Sequence, residues 1–147
     1  EGSPLNEVLS SDLGVLHDNT KPPLDSYLFE EVFYDSELER LNITDGEIQS
    51  VAVFTKIPKN SIKIPVAGGY TYSPDFAYVV KTTSGDYLNF IIETKNVDGK
   101  DSLRLEEQRK IAHAQALFNQ ISKTIKVEFM TQFANDEIYE LIKNAQA

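Results

Sequence analysis

The chain has no cysteine, which removes disulfides, zinc–thiolate centres and cysteine nucleophiles together. Histidine is almost as scarce. His17 and His113 stand far apart without the spacing that zinc sites use, so any metal has to be held by oxygen. A cysteine-free chain is compatible with a reducing cytoplasm, the expected location. Basic residues are outnumbered, 14 against 23 acidic ones, for a formal net charge of −9. That excludes a freestanding protein gripping nucleic acid by a broad basic face. An acidic chain can still act on DNA when another domain supplies the grip, or when bound cations locally reverse the field. No apolar run approaches the ~20 residues needed to cross a bilayer, and no charged-then-apolar leader opens the chain, so a soluble protein is expected. No methionine precedes Met130 and the first residues are E-G-S-P; a piece of something longer, or a processed product, is the expectation.

What is there suits one domain: 147 residues, 41% of them apolar, bury a real core. Residues 1–23 mix serine, asparagine and proline without sustained period and read as a linker or N-terminal arm, with one short helix around Leu5–Leu9. Residues 24–147 form the domain. In YDSELERLN, Ser36 is placed to accept the N–H of Glu39 while Glu39 reaches back to the N–H of Ser36, a reciprocal capping box that starts a helix.

EIQSVAVFTKI, residues 47–57, reads as a strand closed by Pro58, and a proline- and glycine-punctuated loop follows. DFAYVVKTT and DYLNFIIETK are two branched, aromatic runs meeting at S-G, a hairpin signal. LRLEEQRKIAHAQALFNQI carries Ile111, Ala114, Phe118 and Ile121 on one helical stripe. TIKVEFMTQF is a further strand, and NDEIYELIKNAQA a closing helix with Asn135 as its N-cap. The order helix, three strands, helix, strand, helix predicts an α/β fold: a mixed central sheet flanked by helices.

The chemistry concentrates where IIETKN ends an apolar strand in an acid and a base. Side chains alternate along a strand, so Glu93 and Lys95 share a face and Thr94 takes the other. If Thr83, Ser84 and Gly85 are the loose residues of the hairpin, Thr82 faces Asp86 and Asp75 lands across from Glu93; one more loose residue moves Asp75 opposite Thr94. Two carboxylates on one face repel, but together they suit a hard divalent cation such as magnesium, which takes one or two protein carboxylates and leaves positions for water and phosphate. Lys95 beside such an ion is placed to hold an attacking water and to stabilise negative charge developing on phosphorus. Glu-x-Lys by itself is common, and its bland reading is an ion pair at a strand end. Asp98-Gly99-Lys100 repeats the pattern in a glycine turn with no apolar run before it.

These residues resemble the PD-(D/E)xK nuclease family: Pro74-Asp75 stand for its PD, and Glu93-Thr94-Lys95 for its (D/E)xK. More narrowly, YDSELER (34–40), FTKIPKNSIKIPVAGGYTYSPDFA (54–77), LNFIIETKN (88–96) and LRLEEQRKI with Phe118 are together similar to the C-terminal endonuclease domain of type III restriction enzyme Res subunits. The resemblance implies a restriction-endonuclease-like fold with an αβββαβ core. It implies magnesium-dependent cleavage of double-stranded DNA, with manganese able to substitute. It also implies recognition by a partner methyltransferase subunit and an ATP-driven, helicase-like motor upstream, in a bacterial cytoplasm.

Carried onto this sequence, Asp75 and Glu93 are the expected metal ligands, Lys95 positions water, and Glu39 contributes from the first helix, with Glu37 as the fallback. Arg104, Glu107 and Lys110 match the pattern on the later helix, with Arg104 and Lys110 as DNA contacts. Lys56 and Lys63, on the loop before Asp75, are expected to meet backbone phosphates. His113 is expected on the helix surface, and Tyr70 and Tyr72 to pack the loop. Two other readings use the same fold: a repair or structure-specific nuclease, and a non-catalytic docking domain that binds no divalent cation.

Overall fold

The computed structural model describes residues 7–59, 61, 64–65, 71–95, 99, 104–121 and 127–146. In chain order these form α1 (Ser10–Leu13), β1 (Leu16–Asp18), β2 (Val32–Tyr34), α2 (Glu37–Thr44), β3 (Val51–Lys56), β4 (Ile64–Pro65), β5 (Thr71–Tyr72), β6 (Phe76–Lys81), β7 (Tyr87–Lys95), α3 (Leu105–Ile121), β8 (Val127–Phe133) and α4 (Ile138–Gln146). The main sheet has the order β3-β6-β7-β8, antiparallel except for the parallel pair β7–β8. A parallel pair needs a crossover, and α3 is part of it. The mixed sheet with flanking helices is the α/β architecture expected.

β6 and β7 are joined as the S-G signal requires. Gly85 takes φ +90°, its N–H donates to the Thr82 carbonyl at 3.0 Å, and the Thr82 N–H donates to the Asp86 carbonyl at 2.8 Å. Thr83, Ser84 and Gly85 are therefore the loose residues, and a glycine supplies the left-handed position of a three-residue loop. Phe76 pairs with Ile92. That pairing is the first of the two expected registers; the ladder ends there, and Asp75, just before β6, donates its N–H to the Ile92 carbonyl.

The sheet is buried on both faces. Phe76, Tyr78, Val80, Phe90 and Ile92 join Phe54, Ile43 and Ile142 in one apolar cluster, on the side of α2 and α4. Ile91 points the other way, to a smaller cluster with Ala114 and Ile111 of α3 and Phe129 of β8. The α3 stripe thus packs at Ile111 and Ala114, while the side chains of Phe118 and Ile121 lie outside the described residues. Asn42 of α2 and Gln132 of β8 form a buried reciprocal amide pair, at 2.5 and 3.0 Å, which fixes α2 against the sheet.

Several boundaries differ from the sequence reading. The helix expected at Leu5–Leu9 falls partly outside the described residues; the one-turn helix is α1. Residues 16–18 are not a free arm, because β1 pairs antiparallel with β2. Gly14 lets α1 end against β2: a Cβ there would stand 2.4 Å from the Tyr34 backbone nitrogen. The expected strand from Glu47 begins at Val51, since residues 49–50 are a turn. The loop before Asp75 contains the short β4–β5 pair. Residues 124–126 of the expected last strand lie outside the described residues. α4 begins at Ile138, three residues after Asn135, the expected N-cap. Asn135 lies in a turn, and the carboxylate of Asp136 accepts the Phe133 N–H at 2.9 Å.

Candidate active site

Asp75 sits at the entrance to β6, with its backbone fixed on both sides: its carbonyl accepts the Ile57 N–H at 2.7 Å and its own N–H donates to the Ile92 carbonyl at 3.2 Å. Its Oδ2 accepts both the N–H and the hydroxyl of Thr94, each at 2.8 Å. Oδ1 has no hydrogen-bond or ion-pair partner among the described residues. Thr94, expected on the face opposite Glu93 and Lys95, aligns the Asp75 carboxylate, a role the sequence reading does not assign to it. A hydroxyl between an acid and a lysine at a strand end is the one signal that could have pointed to it.

Glu93 and Lys95 share the face of the sheet that α3 covers. The Lys95 Nζ stands 3.3 Å from Glu93 Oε1 and 3.4 Å from Glu107 Oε1. The Glu93 side chain is buried and that of Lys95 is 20% exposed, which leaves the ammonium within reach of solvent. Arg104, exposed, donates its N–H to Glu107 Oε2 at 3.2 Å, so the start of α3 holds Glu107 toward Lys95. Lys110 is half-buried further along α3.

A second set of charges lies on the other face. Glu39 is 6% exposed; its backbone N–H donates to Ser36 Oγ at 3.3 Å, as the capping box requires. The return bond differs by one residue: Glu39 Oε1 accepts the N–H of Asp35, at 3.0 Å, in place of that of Ser36. The same Oε1 is 2.6 Å from the Nζ of Lys56. Lys56 is not on the loop: it is the last residue of β3, 3% exposed, and its ammonium also meets Asp35 Oδ2 at 3.3 Å and the Leu13 carbonyl. An ammonium enclosed in this way does not reach a DNA phosphate, which corrects the contact expected of it. Glu37 is the exposed partner of Arg40 and takes no part in this cluster.

Burial raises the Asp75 carboxyl above the usual aspartate range, although the Thr94 hydrogen bonds and the charges of Lys56 and Lys95 work against it. Burial likewise raises Glu39; Lys56 opposes the rise and the charge of Asp75 adds to it. For Lys95, burial pulls the ammonium down but the attraction of Glu93 and Glu107 outweighs it, so its proton is held more tightly than in free lysine. The Arg104 N–H and the Lys95 charge lower Glu107.

Among the described residues, no three acids or histidines converge as a ready-made metal cage. Asp75 and Glu93 are the carboxylates that would hold a hard divalent cation, and one or two carboxylates are a donor set that suits magnesium. Lys63 and Tyr70 lie outside the described residues, as do the side chains of Tyr72 and His113.

The chain is 84% identical over 145 residues to the Type III restriction-modification enzyme EcoP15I Res subunit of Escherichia coli, a match covering 99% of this chain and 15% of that protein. It is 83% identical, with the same coverage, to the EcoPI Res subunit of Escherichia phage P1. The StyLTI Res subunit of Salmonella typhimurium is 34% identical over 91 residues, 60% of this chain and 9% of that protein. The chain therefore spans only about 15% of the length of its two high-identity relatives. No solved structure matches it. Residues 25–136, from ahead of α2 through β8, match the family described as "Endonuclease domain". With most of its length inside that match, and its acids and lysine gathered where the sheet ends, this chain belongs to the endonuclease-domain family.

Proposed function

We propose that the chain is the DNA-cutting module of a type III restriction enzyme Res subunit, hydrolysing phosphodiester bonds of double-stranded DNA with magnesium, for which manganese substitutes. The observation that carries this is the hairpin register, which brings Asp75 to the E-T-K end of β7 beside a lysine that is neither fully buried nor free. Asp75 and Glu93 would hold the ion, which would supply Lewis acidity at the scissile phosphate. Lys95 leaves Glu93 for the incoming phosphate, orients the attacking water and balances the charge that builds on the phosphoryl oxygens. Thr94 keeps Asp75 in position throughout. Lys63, Arg104 and Lys110 are the proposed phosphate contacts.

In the parent protein a partner methyltransferase subunit supplies sequence recognition and an upstream ATP-driven motor supplies movement, in the bacterial cytoplasm. Among the described residues no helix is long and apolar enough to cross a membrane. Purified chain with magnesium is expected to nick or cut duplex DNA, at high concentration or when tethered to it. Lys95→Ala is expected to lower the cleavage rate by about 100-fold or more with the circular dichroism spectrum unchanged. A fully active Lys95→Ala protein sinks the assignment.

A further inference from the structure

We infer that Lys56 is a built-in cation that occupies the place of a second divalent ion, holding Glu39 away from metal and limiting the site to one ion on Asp75 and Glu93. The inference rests on the metal-dependent reading above and extends it. Three oxygens from two segments surround the Lys56 ammonium: the Leu13 carbonyl at the end of α1, and, at the start of α2, Asp35 Oδ2 at 3.3 Å and Glu39 Oε1 at 2.6 Å. That is how a protein holds a cation, and here the cation is its own. An ammonium at 3% exposure is stable only when paired in this way.

Its position along β3 adjoins the proposed metal site. Lys56 pairs with Phe76, the neighbour of Asp75, and Ile57 donates its N–H to the Asp75 carbonyl at 2.7 Å. A second ion sharing Asp75 would draw on the carboxylate that α2 delivers, which is Glu39. Its Oε1 is already taken by the ammonium and by the Asp35 N–H at 3.0 Å. An ion placed there would also have to sit against a fixed positive charge. Lys56 is thus a positioning residue with a defined consequence, the number of ions bound.

Manganese binding to the purified chain, followed by titration calorimetry and by the electron paramagnetic resonance signal of free manganese, tests this without reference to cleavage. One ion per chain is expected, lost in Asp75→Asn. Glu39→Gln is expected to leave that stoichiometry unchanged and to shift affinity by less than about tenfold, the lower end of what an outer-sphere ligand partner costs. Lys56→Gln is expected to admit a second, weaker ion, lost again in the Lys56→Gln/Glu39→Gln double variant, whereas Lys56→Arg stays at one.

Two ions on the wild type, or loss of manganese in Glu39→Gln, overturns the inference and leaves the nuclease reading standing. So does a folded Lys56→Gln protein that still binds a single ion. Should Lys56→Gln lose its circular dichroism signal, the wild-type stoichiometry and the Glu39→Gln titration decide the matter. A wild type that binds no manganese overturns both.

Discussion

Asp75 exchanges hydration for two hydrogen bonds from Thr94, each at 2.8 Å, and burial still raises its carboxyl. A raised acid in the folded state means that the unfolded chain releases this proton at the ordinary aspartate value while the folded chain holds it to higher pH. The contribution of Asp75 to stability therefore falls as pH rises from the ordinary value through the raised one, and is flat above that. Asparagine has no such loss and can still accept from Thr94. Asp75→Asn is expected to melt higher than wild type at neutral pH in EDTA, by about 2–4 °C per kcal/mol of relief in a chain of this size. The gap should close as pH is lowered toward the ordinary aspartate value. Saturating manganese should raise the wild type and not the variant, because only the wild type gains binding energy in its folded state. A variant that melts lower than wild type in EDTA at neutral pH would show that the charge at this position stabilises the fold, against the burial argument.

At the scale of elements, the site depends on segments that differ in how plainly the sequence announces them. The β6–β7 hairpin is legible because alternation, aromatic content and a glycine at the turn agree, and the register that follows from three loose residues is the one found. α1 is not legible: a single turn has no period to read, and a helix so short persists through packing against β2 instead of propensity. β4–β5, with two residues on each side, lies below any pattern. Lys56 is a different case: the strand read over 47–57 already contains it, and alternation from Phe54 puts it on the same inward face, so its burial is legible in the chain although its expected role sets it on the loop. α1 reaches the site through the Leu13 carbonyl on Lys56, and Gly14 permits the contact. Gly14→Ala drives a Cβ into the Tyr34 backbone, which neither segment can avoid without moving. The expected loss is about 1–3 kcal/mol, typical of overpacking, read as a lower urea midpoint with an unchanged slope. An unchanged midpoint would mean that α1 is not held against β2 in solution.

For the whole molecule, a net charge of −9 bears on the proposed contact with DNA. Lys56 is enclosed and Lys95 is paired with two acids, so the proposed contacts to backbone phosphates are Lys63, Arg104 and Lys110. Each phosphate neutralised contributes about −0.9 to the slope of log affinity against log salt, so three contacts give a slope no steeper than about −2.7. The acidic carboxylate pair adds a repulsion that a bound divalent ion reverses, so affinity should depend on magnesium even in a protein unable to cut. The Lys95→Ala variant permits the measurement, because its DNA stays intact. Fluorescence anisotropy with a labelled duplex is expected to give weak binding in magnesium and weaker binding in EDTA, with the shallow salt slope. Asp75→Asn introduced into that variant is expected to bind more tightly than its parent in EDTA, through the loss of one negative charge, and to gain little from magnesium. A slope twice as steep, or affinity indifferent to magnesium in the Lys95→Ala protein, would mean that the domain carries a DNA-gripping surface of its own. Delivery by the rest of the parent protein would then not explain how so acidic a chain finds its substrate.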